Sequence, residues 1–343
     1  MDRVKKDIDT ILEEKALFTP LSGKVVLVTG ATGLIGSMVV KSLCAANLRY
    51  GLQIRVIGQI RDEKKAEQVF GELYGNISFT RSSGTVCDFI IHTASPTASK
   101  YFVEHPVETI KASVESTIEV LETARECGAS VVYLSSMEQY GVPYEPGQRM
   151  TEDKVGIIDH LSVRSSYSEA KRLCECLCAS YATEYGVDVK IARLAQTFGA
   201  GVPLTDNRMP IQFARSVVRD EDIVLHTEGR SKINFVYLTD AITGILTILV
   251  KGSKGEAYNV CNDTETRSVR EIAETVCGEV AGGAISVRTE IKENMGYAPD
   301  VSMYLDSGKL NSIGWQPRVD IKSAYERLVD YLLEQEGRTS GTV

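Results

Sequence analysis

The sequence predicts an α/β protein with a doubly wound parallel sheet, followed by a smaller α/β C-terminal lobe. Two observations predict this fold. Short apolar runs rich in β-branched residues alternate with segments of helical periodicity up to about residue 198, and a glycine-rich turn separates the first strand from the first long helix. Strands without polar alternation are typical of a sheet that helices cover on both faces.

The glycine-rich turn is Thr29-Gly-Ala-Thr-Gly-Leu-Ile-Gly36, directly after the predicted strand Val25 to Val28. Glycines there let the chain bend tightly and let a pyrophosphate approach the backbone, while the helix N-terminus offers free N–H groups to phosphates. We therefore predict a dinucleotide site, as in a Rossmann domain. Its predicted cofactor contacts are Gly30, Thr32, Gly33, Leu34, Ile35 and Gly36.

The second predicted strand, Ile54 to Arg61, bears on the choice between NAD and NADP. In NAD-preferring sites an acidic residue near the end of this strand binds the adenosine ribose. Here Arg61 stands at that end, which slightly favours the 2′-phosphate of NADP. Asp62 is still within reach of the ribose, so NAD stays open.

Later strands bring polar residues to the same edge of the sheet. The strand Cys87 to Ala94 leads into Ser95-Pro-Thr97, and the strand Ser130 to Ser136 precedes Glu138. A long helix then begins at Tyr167 and carries Lys171 four residues later, so the phenol and the ammonium share one face of that helix.

The remaining segments complete the predicted organisation. A helix over residues 106–127 is expected to pack on the sheet through Ile110, Val114, Ile118 and Leu121. After residue 198 the pattern changes to short strands and helices, including a capping box at Ser268 and Glu271. The predicted division is a helical docking arm (1–22), a dinucleotide-binding domain (23–198, with 234–262 returning to it) and a substrate-binding lobe (199–233 and 263–343).

Composition excludes several classes of function. The net charge of −8 without a basic stripe argues against a nucleic-acid surface, and no apolar run is long enough to span a membrane. The eight cysteines and four histidines lack the paired spacing of a metal site, so no metal is predicted. Reduced thiols in a cytoplasmic protein account for the cysteines.

Four motifs in this order resemble the extended short-chain dehydrogenase/reductase family. They are the glycine turn, Ser135-Ser-Met-Glu-Gln-Tyr-Gly141, Tyr167-Ser-Glu-Ala-Lys171 and Arg193-Leu-Ala-Gln-Thr-Phe-Gly199. The resemblance covers about residues 22–335. More narrowly, the chain is similar to the family's NAD(P)-dependent nucleotide-sugar epimerases, 4,6-dehydratases and UDP-glucuronate decarboxylases.

The resemblance implies a catalytic role for Ser136, Glu138, Tyr167 and Lys171. Tyr167 would take the proton of a sugar C4 hydroxyl that Ser136 orients, while Lys171 lowers the pKa of Tyr167 and holds the nicotinamide ribose. The cofactor, NADP or NAD, would be tightly bound and recycled, and Ala94 would contact it. The implied substrate contacts are Ser95, Pro96, Thr97, Gln196, Asn207 and Arg208. The implied partners are a nucleotide sugar and a second copy of the chain, bound through the helix of Tyr167.

Glu138 separates the subfamilies. Dehydratases and decarboxylases place a glutamate two positions after the Ser or Thr, where it serves C5 chemistry once C4 is a ketone, whereas similar 4-epimerases usually have a small uncharged residue there. Met137 and Arg61 together resemble the GDP-mannose type of 4,6-dehydratase, so dehydration is slightly favoured, with decarboxylation close behind. A 4-epimerase and an NADPH-dependent reductase of a small carbonyl compound remain alternatives.

Three positions depart from the family pattern. Ser113 and Gln196 replace asparagines, and Ile233 replaces the arginine that clamps the substrate pyrophosphate in relatives. An apolar side chain cannot donate the bidentate hydrogen bonds of a guanidinium. Either Lys232 or Arg208 compensates, or the substrate lacks that diphosphate.

Overall fold

The computed structural model describes residues 2–96, 99–145, 147–292 and 302–337. It confirms the predicted α/β class, because a seven-stranded parallel sheet lies between helices. The strands, numbered along the chain, are β1 (Val25–Thr29), β2 (Arg55–Gln59), β3 (Ser78–Thr80), β4 (Phe89–His92), β5 (Ser130–Ser136), β6 (Arg149–Met150), β7 (Val189–Leu194), β8 (Gln196–Phe198), β9 (Ile223–Leu225), β10 (Lys232–Tyr237), β11 (Ala257–Val260), β12 (Thr266–Ser268), β13 (Val287–Thr289) and β14 (Tyr304–Leu305).

The helices follow the predicted alternation with the strands. In chain order they are α1 (Arg3–Leu12), α2 (Lys15–Phe18), α3 (Leu34–Tyr50), α4 (Glu63–Phe70), α5 (Ser99–Glu104), α6 (Pro106–Cys127), α7 (Ser166–Glu184), α8 (Met209–Arg219), α9 (Leu238–Lys251), α10 (Val269–Thr275), α11 (Gly308–Ser312) and α12 (Ile321–Gln335). The predicted capping box of Ser268 and Glu271 is present at the start of α10, which continues as a π-helical turn over Val276–Val280.

The large sheet has the strand order β11-β7-β5-β4-β1-β2-β3, and neighbouring strands in it are parallel. The chain builds outward from β1 through β2 to β3, and then returns to the other side of β1 with β4. Thr29 and His92 pair in register at the ends of β1 and β4, so the segments that follow them begin side by side. A crevice at such a reversal of strand order is where open α/β sheets bind ligands.

The C-terminal segments form smaller sheets. β10 pairs with β8 and β12, β9 pairs with β13, and β6 pairs with β14. β11 joins the large sheet, as expected for the returning segment, whereas β10 does not. A second apolar cluster, which includes Phe198, Ile211, Ile272 and Tyr325, fills the space between these sheets and helices α8, α10 and α12. The predicted division into arm, domain and lobe stays a prediction.

The prediction of which face of α6 packs on the sheet is wrong in part. Ile110 and Ile118 are exposed, whereas Thr109, Ser113 and Thr117 are among the buried residues of the helix. The three buried hydroxyls donate to carbonyl oxygens four residues earlier in the chain, at 2.8, 2.9 and 2.7 Å. Because these polar groups are satisfied locally, they can be buried at little cost.

The N-terminal helix α1 packs against the rest of the protein. The carboxylate of Asp7 is fully buried and accepts hydrogen bonds from the Tyr237 hydroxyl and the Arg3 guanidinium, both at 2.6 Å. Val4 packs against both large apolar clusters. One face of the arm is therefore part of the core, whereas Lys5, Lys6 and Asp9 on its other face are exposed.

Candidate active site

The glycine turn has the geometry that a dinucleotide requires. Gly30 has a φ of +62°, and a Cβ at this position would lie 2.9 Å from the backbone of Ala94. At Gly36 a Cβ would lie 2.4 Å from the Gly30 carbonyl oxygen. Gly33 is the N-cap of α3 and provides no side-chain cap, so the first N–H groups of the helix are open to an anion. Thr32, Leu34 and Ile35 are half-buried around this turn.

A buried hydrogen-bond chain fixes the strand ends on which the turn rests. The backbone N–H of Ala94 donates to the Thr29 hydroxyl oxygen at 3.2 Å, and that hydroxyl lies 2.7 Å from Nδ1 of His92. Nε2 of His92 lies 3.3 Å from the Thr117 hydroxyl on α6. Burial lowers the pKa of His92 to about 3, so the ring is neutral at physiological pH and serves as a structural link.

The structure brings the four predicted catalytic residues close to one another. Ser136 ends β5, and its hydroxyl accepts a hydrogen bond from the backbone N–H of Glu138 at 3.2 Å. Tyr167 and Lys171 lie in the first turns of α7 and are both buried. The Ser136 hydroxyl and the Glu138 carboxylate both influence the ionisation of the Tyr167 phenol, which places all three groups in one electrostatic environment.

The environment of Tyr167 opposes ionisation in the ligand-free protein. Burial raises the pKa of the phenol well above its ordinary value, and the charge of Glu138 raises it further. The Ser136 hydroxyl and two cations, Arg164 and Arg208, lower it. These two arginines add to the cationic effect that the family resemblance assigns to Lys171.

Lys171 is held beside the tyrosine. Its Nζ donates to the Leu134 carbonyl oxygen at 2.7 Å and lies 5.7 Å from the centre of the Tyr167 ring. Burial lowers the pKa of Lys171 to about 8. Because an ammonium has three N–H donors, the bond to Leu134 leaves others for a ribose hydroxyl.

The residues after the second strand are compatible with either NAD or NADP. β2 ends at Gln59, two residues earlier than predicted, so Arg61 lies in the connection to α4 and is exposed. The Asp62 carboxylate accepts a hydrogen bond from the Lys65 backbone N–H at 3.1 Å and caps α4. Asp62 thus has a structural role that the sequence analysis did not assign.

The predicted substrate contacts are distributed around the cleft. Ser95 lies 3.5 Å from Ser113 between their hydroxyl oxygens, and Pro96 follows it, whereas Thr97 lies outside the described residues. Gln196 begins β8 and is half-buried. Arg208 forms an ion pair with Asp206 at 2.8 Å and acts on Tyr167, while Asn207 is exposed and its Oδ1 accepts a hydrogen bond from Arg215.

The Ile233 position has a cationic neighbour that the sequence analysis missed. Ile233 on β10 pairs directly with Arg267 on the antiparallel strand β12, and directly opposed side chains project from the same face of a sheet. The Arg267 guanidinium donates to Glu265 at 2.9 Å and to the Thr275 hydroxyl at 3.0 Å. Lys232 precedes Ile233 on the same strand.

Two further residues at the catalytic opening were missed. Phe102 on α5 stacks on Tyr167 with ring centroids 4.3 Å apart, and Arg164 forms an ion pair with Glu138 at 3.1 Å. Arg164 stands three residues before Tyr167, and that spacing is the one sequence feature that points to it. Phe102 is 65 positions from Tyr167, so no local pattern reveals the contact.

The described residues form neither a metal cluster nor a membrane-spanning helix. Among them, no three His, Cys, Asp or Glu side chains are grouped as a metal site would need. In the same ranges, no helix combines the length and the apolar character needed to cross a membrane.

Comparisons with known proteins agree with this geometry. Residues 26–261 match the model of the NAD dependent epimerase/dehydratase family. UDP-glucuronic acid decarboxylase 1 from Arabidopsis thaliana is 28% identical over 325 residues, which cover 91% of this chain and 72% of the relative. UDP-glucuronic acid decarboxylase 6 from the same plant is 29% identical over 87% of this chain and 85% of its own length. An epimerase structure from Methanothermobacter thermautotrophicus superimposes with a TM-score of 0.79 at 21% identity, over 96% of both chains.

Proposed function

Because this chain belongs to the NAD-dependent epimerase/dehydratase family, we propose that it decarboxylates a nucleotide-linked uronic acid, with UDP-glucuronate as the leading substrate. It is an NAD(P)-dependent nucleotide-sugar-modifying enzyme. The decarboxylases that match most of its length favour this reaction. Dehydration, which the sequence alone slightly favours, is the second candidate, since Glu138 is required for the C5 chemistry of both.

The observation that carries the proposal is the position of Glu138. The backbone N–H of Glu138 donates to the Ser136 hydroxyl, and its carboxylate is close enough to raise the pKa of the Tyr167 phenol. A simple epimerisation at C4 needs the serine, the tyrosine and the lysine. A carboxylate beside them is needed only when bonds at C5 also change.

The first chemical step uses Ser136 and Tyr167. The serine hydroxyl orients the C4 oxygen, and the phenolate of Tyr167 accepts the C4 hydroxyl proton. Because burial disfavours the phenolate, the positive charges of Arg164, Arg208 and Lys171 are needed around the site. The chemistry that a bound NAD or NADP would supply is removal of the C4 hydride and its later return, with Lys171 holding the nicotinamide ribose.

The second step breaks the bond between C5 and the carboxylate carbon. Once C4 is a ketone, the uronic acid is a β-keto acid, and the electron pair of that bond moves into an enolate of C4 and C5 as carbon dioxide leaves. A proton then returns to C5. Glu138 is placed to exchange this proton or to orient the water that does so.

We expect the cofactor pyrophosphate at the glycine turn, where the N-terminus of α3 offers open N–H groups and where Gly30 and Gly36 approach the neighbouring backbone too closely for a side chain. Lys171 supports the nicotinamide ribose. The exposed Arg61 could bind a 2′-phosphate, so NADP as well as NAD is a candidate. The cofactor is recycled because the hydride taken from C4 is returned to it.

Product masses test the reaction. The purified protein is incubated with UDP-glucuronate and either cofactor, and the products are weighed by mass spectrometry. We expect loss of carbon dioxide with no net consumption of NAD or NADP. Loss of water would assign a dehydratase, an unchanged mass a 4-epimerase, and stoichiometric use of NADPH a reductase.

We also infer a homodimer through α6 and α7. Val107, Ile110 and Ile118 are exposed on α6, and Leu173 is exposed on α7. Apolar side chains at helical spacing on two packed helices form the kind of surface that a second copy covers. Ile118→Glu is expected to shift the protein from dimer to monomer in analytical ultracentrifugation, whereas Leu48→Glu on α3 leaves it dimeric. A monomeric parent protein would exclude this inference.

A cytoplasmic location remains part of the proposal. All eight cysteines are free thiols in the structure, which suits a reducing compartment. Fractionation of the producing cells tests it, and recovery from the medium would contradict it.

A further inference from the structure

Arg164 lies beside the predicted catalytic residues Glu138 and Tyr167. It belongs to the 3-10 turn Val163–Ser165 that leads into α7. Its guanidinium nitrogen is 3.1 Å from a Glu138 carboxylate oxygen, and its guanidinium carbon lies 5.5 Å from the centre of the Phe102 ring. The same Phe102 ring stacks on Tyr167. Glu138 and Phe102, which are both neighbours of Tyr167, thus position the guanidinium of Arg164.

The ion pair between Arg164 and Glu138 is exposed enough for another carboxylate to take the place of Glu138. The two side chains are 37% and 36% exposed. Ion pairs with this much solvent contact contribute little to stability, so a competing carboxylate can replace one member. By contrast, Arg193 and Glu175 are 11% and 10% exposed and make several hydrogen bonds to each other, which makes that pair a permanent one.

Arg208, the other arginine that lowers the pKa of Tyr167, is less available to bind a substrate carboxylate. It makes two hydrogen bonds to the Asp206 carboxylate and a third to the Thr197 carbonyl oxygen. Among the described residues, Glu138 is the carboxylate that the Arg164 guanidinium contacts. A planar guanidinium with free N–H donors matches the geometry of a carboxylate.

We propose that Arg164 is the specificity-determining residue that binds the carboxylate of a uronic-acid substrate, and that this carboxylate displaces Glu138 from the guanidinium. The inference rests on the proposed function and names the group that selects its substrate. The exchange has two consequences. Arg164 neutralises the incoming charge, which Glu138 alone would repel, and Glu138 is released beside C5 only when a carboxylate-bearing sugar is bound.

Binding measurements test this inference without turnover. All variants are made in a Tyr167→Phe background and saturated with NAD. Dissociation constants are then measured by calorimetry for UDP-glucuronate and for UDP-glucose, which has a hydroxymethyl group in place of the carboxylate. The background protein is expected to prefer UDP-glucuronate.

Arg164→Gln is expected to weaken UDP-glucuronate binding by about 10- to 100-fold, the loss typical of a charged hydrogen-bonded pair, while UDP-glucose binding changes less than about twofold. Arg164→Lys recovers part of the loss. Arg125→Gln is the matched control, because Arg125 forms a similarly exposed pair with Glu122 at the far end of α6. This substitution is expected to leave the dissociation constants of both ligands unchanged.

Glu138→Gln is expected to have the opposite effect, because it removes the competitor for Arg164. UDP-glucuronate should bind about three- to tenfold more tightly, and this gain should disappear in the Arg164→Gln background because contacting residues are coupled. If simple repulsion by Glu138 were the cause, the gain would persist without Arg164, and the exchange would be rejected.

The outcomes separate this inference from the proposed function. If Arg164→Gln weakens both sugars equally, or keeps the preference for UDP-glucuronate, the role of Arg164 is wrong while decarboxylation can still be observed in the parent enzyme. If the background protein has no preference for UDP-glucuronate, the inference fails, and the product-mass experiment decides the reaction separately. NAD affinity and melting temperature report whether each variant is folded.

Discussion

The ring of Tyr167 lies flat against the ring of Phe102, with centroids 4.3 Å apart and ring planes 5° apart. Both side chains are buried, and Phe102 comes from α5 while Tyr167 comes from α7. Stacking therefore fixes the plane in which the phenol faces the cleft. The orientation of the proposed catalytic base depends on a helix distant from it in sequence.

Truncation of Phe102 tests whether its packing against Tyr167 stabilises the fold. Phe102→Ala is expected to lower the free energy of unfolding by about 3–5 kcal/mol, because it leaves a cavity beside Tyr167. Urea denaturation measures the change. Val103→Ala, at the exposed neighbouring position, is the control and is expected to cost less than about 0.5 kcal/mol. Equal effects of the two substitutions would contradict the packing role of Phe102.

Removal of the Tyr167 hydroxyl tests the proposed base. Tyr167→Phe is expected to reduce turnover about a hundredfold or more, the scale of losing a general base, while the ring still stacks on Phe102. NAD binding, followed by fluorescence, should persist. Near-normal turnover in this variant would reject the role of the phenol.

Neutralising Glu138 separates the two proposed steps. In Glu138→Gln, oxidation at C4 is expected to continue while chemistry at C5 stops, because the amide cannot exchange a proton as a carboxylate does. Fluorescence of reduced nicotinamide and product mass follow the two steps. Unchanged product formation would move the enzyme to the epimerase or reductase class.

Replacement of Arg61 tests the cofactor preference. Arg61→Ser is expected to weaken NADP binding by about tenfold or more, since a guanidinium bond to a phosphate is charge-assisted, and to change NAD binding by less than about twofold. Titration of both cofactors against the parent protein and the variant measures this. Equal changes for NAD and NADP would show that Arg61 does not contact the 2′-phosphate.

The buried His92 predicts a pH dependence of stability. Its pKa is about 3 in the folded protein and about 6.5 in an unfolded chain. Between these values the unfolded chain binds a proton that the folded protein excludes, so stability decreases as the pH falls from about 6.5 towards 3. The expected loss is about 2 kcal/mol at pH 5 relative to pH 8.

The His92→Gln variant isolates this effect. Its unfolding free energy, measured in urea at both pH values, should lack the contribution of His92 and change less than that of the parent protein. The same pH dependence in both proteins would indicate that other groups cause the loss.

The features that the sequence predicted well are local ones. The glycine turn, the spacing of Tyr167 and Lys171 and the capping box at Ser268 each depend on residues within one or two turns of chain. Gly30 and Gly36 make the close backbone approach that the sequence predicted, and Tyr167 and Lys171 lie beside each other because residues four apart share one face of α7.

The features that the sequence could not predict depend on partners distant in the chain. Apolar periodicity favoured Ile110 and Ile118 as packing residues of α6, but it cannot detect that Thr109, Ser113 and Thr117 satisfy their hydroxyls within the helix. The Arg267 neighbour of Ile233 follows from strand pairing. Likewise, the pairing of Arg164 with Glu138 requires a loop to return to the end of β5.

The docking of α1 has a consequence for biosynthesis. Asp7 is bonded to Tyr237, 230 positions later, and the backbone N–H of Arg3 donates to Glu334, 331 positions later. Tyr237 and Glu334 are synthesised long after this helix, and contacts of such long sequence separation form slowly. The hydrogen bonds that hold Asp7 and Arg3 can therefore form only after the segments that carry these two partners have left the ribosome.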